Sequence, residues 1–203
     1  MMGPKLEDIE MQGIIPRMVR TVFNRIETSS ENIEFSVKAS MCEIYNEKIK
    51  DLIDPKKVDL KIHEEKTKGI YIQNITENWC IDETEVYNLI NVGNKNRSVA
   101  STLMNSESSR SHSMVTLTII MNNTEDGSCK TGKLNLVDLA GSEKISKTGA
   151  AGQTLEEAKN INKSLTTLGK VIVALTDRKA MHIPYRESKL TRILTESLGG
   201  NSK

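Results

Sequence analysis

Apolar residues recur along this chain with two spacings, and the spacing separates helices from strands. Ile15, Val19, Val22, Phe23 and Ile26 fall on one helical stripe, with Pro16 in the first turn where a missing N–H costs nothing, so this segment reads as a helix. Phe35, Val37, Ala39 and Met41 alternate with Glu34, Ser36, Lys38 and Ser40, the pattern of a half-buried strand. Asp54-Pro55 then breaks the chain ahead of a weaker strand or hairpin around 58–75. Asp82 followed by Glu85 predicts an N-cap with a carboxylate in the first turn. The helix it opens runs through Val86, Leu89 and Ile90, and Gly93 can end it, leaving a polar loop.

Residues 114–121 (MVTLTIIM) and 133–139 (KLNLVDL) are β-branched-rich strands, and the Asp-Gly in the linking NNTEDGSCKTG predicts an antiparallel hairpin. The stretch 155–175 reads as a long helix with Ile161, Leu165, Leu168, Ile172 and Leu175 as its apolar stripe. Lys159, Lys163 and Lys170 cluster on the opposite side, facing solvent or a partner. A last helix, about 187–198, buries Leu190, Ile193, Leu194 and Leu198 and turns Lys189 and Arg192 outward.

Composition narrows the class. The 203 residues, 37% hydrophobic and 27% charged, suit one soluble globular domain. No apolar run approaches a membrane span, and the opening MMGPKLEDIEMQ lacks the features of a secretory signal, so the cytoplasm is the expected location. Cys42, Cys80 and Cys129 are odd in number and far apart, which supports neither a disulfide framework nor a zinc site. Aromatics, at 3%, are too sparse for a base-stacking surface. The net charge of +1 hides an asymmetry: residues 130–203 carry 13 Lys and Arg against 7 Asp and Glu, leaving 15 against 20 in residues 1–129. A basic C-terminal third points to an acidic partner or to a solvated face.

Two polar strings flank the strands. NSESSRSH (105–112) precedes the first of the hairpin pair, and DLAGSE (138–143) closes the second. An apolar strand that ends in Asp and then Gly can present a carboxylate to a magnesium-bound water and a backbone N–H to a phosphate. Taken alone, Asp-x-x-Gly at a strand end is an ordinary turn. Followed in order by NINKSLTTLGKVI and HIPYRESKLTRIL, with GIIPR and EIYNEKIKDLI upstream, the strings closely resemble the kinesin motor domain over essentially the whole chain. EKISKTGAAGQTLEEAKNINKSL is most similar to the conventional, N-terminal-motor type.

The resemblance implies an α/β fold, a three-layer mixed β-sheet flanked by helices of the P-loop NTPase kind, and a microtubule-stimulated ATPase that couples hydrolysis of ATP to filament binding and movement. NSESSRSH is similar to the family's first switch. There Asn105 and Ser109 would lie on the nucleotide, with Ser109 meeting Mg2+ and the γ-phosphate, Ser108 holding the attacking water and Arg110 serving as a latch. DLAGSE is similar to the second switch, with Asp138 in the metal's water shell, Gly141 donating its N–H to the γ-phosphate, and Glu143 as partner of Arg110. His112, inside the first string, is expected to be a structural hydrogen-bonding residue rather than a base; His63 and His182 read as surface residues.

The same resemblance gives the basic third an acidic partner, tubulin in microtubules. Lys144 and Lys147 in the loop after the second switch, Lys159 and Lys163 on the long helix, and Arg186, Lys189 and Arg192 at the last helix would face it. Lys66 and Lys68 in the earlier hairpin would add a contact, whereas Lys170, Arg178 and Lys179 read as solvated side chains. Neither nucleic acid nor membrane is expected as a partner, and dimerisation is expected only through regions outside this chain. The chain departs from the family pattern in holding no G-x-x-x-x-G-K-S/T string and in stopping at SLGGNSK. The expectation is therefore a partial motor domain over 1–203. ATP/ADP and Mg2+ would need a phosphate loop upstream, this span alone would be inactive, and a non-catalytic microtubule-binding module stands as the alternative.

Overall fold

Residues 1, 3, 10–103, 110–141, 153–200 and 202 are described by the computed structural model, with the backbone alone at 99–103 and 153–161. Helix α1 (Ile14–Glu27) buries Ile15, Pro16, Val19 and Phe23, most of the expected stripe. Strand β1 (Ile33–Tyr45) starts with the alternation read from the sequence, then runs on with Ser40 to Ile44 all buried. A strand covered on both faces has no polar side to show, which is why alternation stops before the strand does.

Asn46 and Glu47, at φ 50 and 57, form the tight left-handed turn that returns the chain as β2 (Lys48–Asp51). The expected hairpin within 58–75 is β3 (Ile62–Glu65) paired with β4 (Gly69–Ile72), a separate two-stranded sheet. Short β5 (Asn78–Cys80) pairs with β1, and the chain then enters α2 (Glu83–Leu103). Strands β6 (His112–Asn123) and β7 (Cys129–Asp138) form the expected antiparallel hairpin, whose turn places Gly127 at φ 67. The main sheet runs β2-β1-β6-β7, and every pairing among the described strands is antiparallel.

Residue parity splits the interior into two cores. Val37, Ala39 and Met41 of β1, Val115 and Leu117 of β6 and Leu136 of β7 pack with α1 and α2. Cys42 and Ile44 of β1 and Met114 of β6 face the other way, onto Ile49, the β3–β4 hairpin, Leu190 and Leu194. The result is helices on both faces of a sheet, the α/β layering expected.

Three local expectations need correction. Gly93 does not end α2, which continues to Leu103 through the stretch read as a polar loop. A Cβ at Gly93 would lie 2.3 Å from Met41 Sδ, so the glycine serves close approach of helix to sheet rather than termination. Helix α3 (Gln153–Thr176) buries Ser164, Thr167 and Val171, while Leu168 packs only partly and Ile172 is 49% exposed. At 100° per residue the buried face lies about 80° from the apolar stripe. The last helix is divided into a 3-10 turn (Tyr185–Glu187), α4 (Lys189–Ile193) and α5 (Thr195–Gly199), although Leu190, Ile193, Leu194 and Leu198 share one core as expected.

The cysteines offer a check on these cores. Burial, with Asp51 and Glu43 nearby, pushes the Cys42 thiol up to about 12; burial, then Glu85, pushes Cys80 up to about 11; Cys129 is exposed. At neutral pH a thiol reagent should therefore modify Cys129 rapidly in the folded protein and all three cysteines in urea. A second fast thiol before unfolding would mean that one of these cores is open.

Candidate functional site

Strand register brings the described ends of the two polar strings, 110–112 and 138–141, to the same end of the sheet. Ser113 of β6 pairs with Asp138 of β7, so the first string enters the sheet at the edge where the second leaves it. Asp138 is the last residue of β7, with its carboxylate half-exposed, and Leu139, Ala140 and Gly141 follow directly. Arg110 lies in the turn just before β6 and is half-buried. Asn105, Ser108, Ser109, Glu143, Lys144 and Lys147 fall outside the described residues, as does the side chain of Lys159.

Arg97 of α2, in the stretch whose polar sequence predicts a loop, ties this edge together. Its Nε donates to Glu43 Oε1 at 3.2 Å and its Nη2 to Ser111 O at 3.0 Å, while Nη1 lies 4.0 Å from Asp138 Oδ2. Ser111 Oγ also donates to Glu43 Oε1, at 2.6 Å. One guanidinium thus joins α2, β1, the start of β6 and the end of β7. A sequence signal did exist: Glu43 sits within a strand buried on both faces, and a buried carboxylate demands a cation.

His112 makes the second tie. Its Nδ1 accepts from the Ala140 N–H at 3.0 Å, and its Nε2 lies 2.7 Å from Ser164 Oγ of α3. The residue is buried, and burial together with the nearby Arg97 charge lowers its pKa to about 4. The neutral ring therefore bonds structurally, as expected. This arrangement also explains the rotated face of α3, because Ser164 is turned inward by a polar contact that an apolar stripe cannot reveal. His63 and His182 are exposed.

The basic residues gather around the β3–β4 hairpin and α4. Lys66 and Lys68 are exposed at the hairpin turn, and Lys68 lies 3.7 Å from Glu65 Oε2. Arg186 bridges to Glu64 of the hairpin at 3.3 Å. Lys189 and Arg192 are half-buried on α4, and Lys163 is exposed on α3. Glu47, from the β1–β2 turn, accepts from Ser188 Oγ at 3.1 Å and from the Lys189 N–H at 2.8 Å, which seats α4 against the sheet. Lys170 bridges to Glu187 at 3.1 Å, while Arg178 and Lys179 are exposed.

Removing Arg97 strands a buried carboxylate, so Arg97→Ala should lower unfolding free energy by about 3–5 kcal/mol in urea titrations. His112 acts through protons. Between its unfolded value of 6.5 and its folded value of about 4 the unfolded chain binds more protons. Stability contributed by the neutral ring is complete above pH 6.5 and is lost as pH falls toward 4, by at most roughly 3 kcal/mol. Urea midpoints measured across that range should show the slope, and His112→Asn should flatten it.

Comparison with known proteins agrees with this geometry. A family profile described as Kinesin motor domain matches residues 1–203. The kinesin heavy chain of Syncephalastrum racemosum is 58% identical over 203 residues, covering all of this chain and 22% of that protein. Kinesin-related protein 3 of Dictyostelium discoideum is 60% identical over 196 residues, covering 97% of this chain and 16% of that protein. The solved structure of a fast kinesin superposes with a TM-score of 0.91 at 55% identity, covering all of this chain and 57% of that one. The chain thus spans about a fifth of the length of these two relatives. The profile, the relatives and the solved structure all match along essentially the whole chain, which therefore belongs to the kinesin motor domain family.

Proposed function

We propose that this chain serves as the nucleotide-sensing and filament-binding part of a microtubule-based motor ATPase. The observation that supports this reading is the register pairing Ser113 with Asp138, which brings the start of β6, where the string read as the first switch ends, beside the end of β7, where the string read as the second begins. Kinship with a kinesin described through its ATPase mechanism and interactions with microtubules supports it.

The half-exposed carboxylate of Asp138 is an oxygen donor of the kind Mg2+ takes through a bound water. When bound, magnesium–ATP supplies the phosphoryl group for transfer, and Ser109 and Asp138 would hold the metal, Asp138 through water. Asn105 would face the nucleotide and Gly141 would donate its N–H to the terminal phosphate. Ser108 would orient the attacking water, and Arg110 with Glu143 would latch the two strings shut, excluding solvent. Positioning of this kind is most of what phosphoryl transfer asks of a protein.

The filament face in this reading comprises Lys66, Lys68, Lys144, Lys147, Lys159, Lys163, Arg186, Lys189 and Arg192, offered to an acidic polymer. The pairs of Lys68 with Glu65 and of Arg186 with Glu64 are solvent-exposed, so each costs little to open.

Steady-state ATPase and co-sedimentation with microtubules, on the protein in its full natural length, test the proposal. Microtubules should raise turnover, and Arg110→Ala or Glu143→Ala should lower stimulated turnover on the order of 100-fold while nucleotide affinity stays near wild type. Lys163→Ala should weaken co-sedimentation, more so with added salt, and Lys179→Ala should not. Normal stimulated turnover in both latch variants, or equal behaviour of the two lysine variants, overturns the assignment.

A further inference from the structure

We infer that His112 is a positioning residue whose ring is a rigid strut between the backbone after β7 and helix α3, carrying displacement of Ala140 to Ser164. The inference rests on the proposed function for its consequence, and on geometry alone for its existence.

The geometry leaves the ring one arrangement. The Ala140 N–H lies 3.0 Å from Nδ1 and can only donate, so Nδ1 must be the unprotonated nitrogen. Nε2 then carries the hydrogen and donates to Ser164 Oγ at 2.7 Å. His112 and Ser164 are each 2% exposed and Ala140 is 7% exposed, so water cannot take over either bond. An imidazole is planar and has no torsion between its two nitrogens. When the Ala140 amide shifts, either a buried donor loses its acceptor or Ser164 moves too. Leaving a buried polar group unpaired is the costlier outcome, so the three groups move together.

The ends of the strut are the positions that matter for coupling. Ala140 stands between Asp138 and Gly141, within the second switch string, and Ser164 adjoins exposed Lys163. Because His112 opens β6, its backbone is held by the sheet, opposite Ile44 of β1. The ring therefore pivots on a fixed base. Motion at the nucleotide end reaches the basic flank of α3 through one side chain, without passing along the intervening chain.

Ser164→Ala removes one end of the strut while leaving both switch strings intact. The first readout needs no motor activity: hydrogen exchange at the Ala140 amide, followed in the full natural protein. Ser164→Ala should speed that exchange about 10-fold, although the hydroxyl removed bonds the opposite nitrogen of the ring. His112→Asn, whose carboxamide can keep an acceptor near Nδ1 but does not span to Ser164, should speed it likewise. Thr176→Ala, on the exposed end of α3, is the control and should leave it unchanged. Unchanged Ala140 exchange in Ser164→Ala overturns the strut. In turnover assays Ser164→Ala should keep unstimulated ATPase within about twofold of wild type and raise the microtubule concentration for half-maximal stimulation at least fivefold. A wild-type response to microtubules in that variant overturns the coupling role. If wild-type protein shows no stimulation, the proposed function fails, and the exchange result alone decides the strut.

Discussion

The antiparallel register of β6 between β1 and β7 is the constraint from which the other features follow. Side chains alternate with period two, so a slip of one residue would exchange the faces of Val115 and Met114 and merge the two cores. The same register places Ser113 opposite both Glu43 and Asp138. The start of β6 is thereby flanked by a carboxylate from each neighbouring strand. Arg97 sits at this point, where two carboxylates converge and a single cation serves both.

Buried polar groups concentrate at that edge for a physical reason. Chain segments leaving a sheet have backbone groups that no longer find strand partners, and these must be satisfied by side chains. His112 takes the Ala140 N–H and Arg97 the Ser111 carbonyl. Asp51, fully buried in β2, does the same elsewhere, accepting from the backbone N–H groups of Ile53, Asp54 and Thr76. Apolar replacements would pack as well but would not hold loop backbones in one place. The polar ties specify geometry where the described ends of the two strings adjoin the sheet.

The opposite face is held by acidic residues that reach across between elements. Glu196 of α5 accepts from the Ile70 N–H at 2.9 Å and lies 3.9 Å from Lys133 Nζ, tying the β3–β4 hairpin to α5 and β7. Glu47 seats α4 and Glu64 meets Arg186. The hairpin and α4 thus present their cations from one supported surface. Their ion pairs lie in water, where such pairs contribute little, so the surface can exchange these intramolecular carboxylates for those of a partner.

Period and turn chemistry sufficed, from the sequence alone, for α1, the β6–β7 hairpin, the span of the β3–β4 hairpin and the shared core of Leu190 and Leu194. These elements are stabilised by contacts that amphipathic patterns record. The strings NSESSRSH and DLAGSE were legible as candidates too, since polar runs at strand ends are local features. Arg97, Ser164 and the role of Gly93 were decided only by tertiary structure. Gly93 reads as a stop until Met41 is seen against it, and Ser164, off the apolar stripe, gives no sign of burial until His112 reaches it. Arg97 reads as loop until Glu43 and Asp138 converge on it. In each case the partner lies dozens of residues away, and hydrophobic periodicity carries no record of polar or close-packing contacts made at that distance.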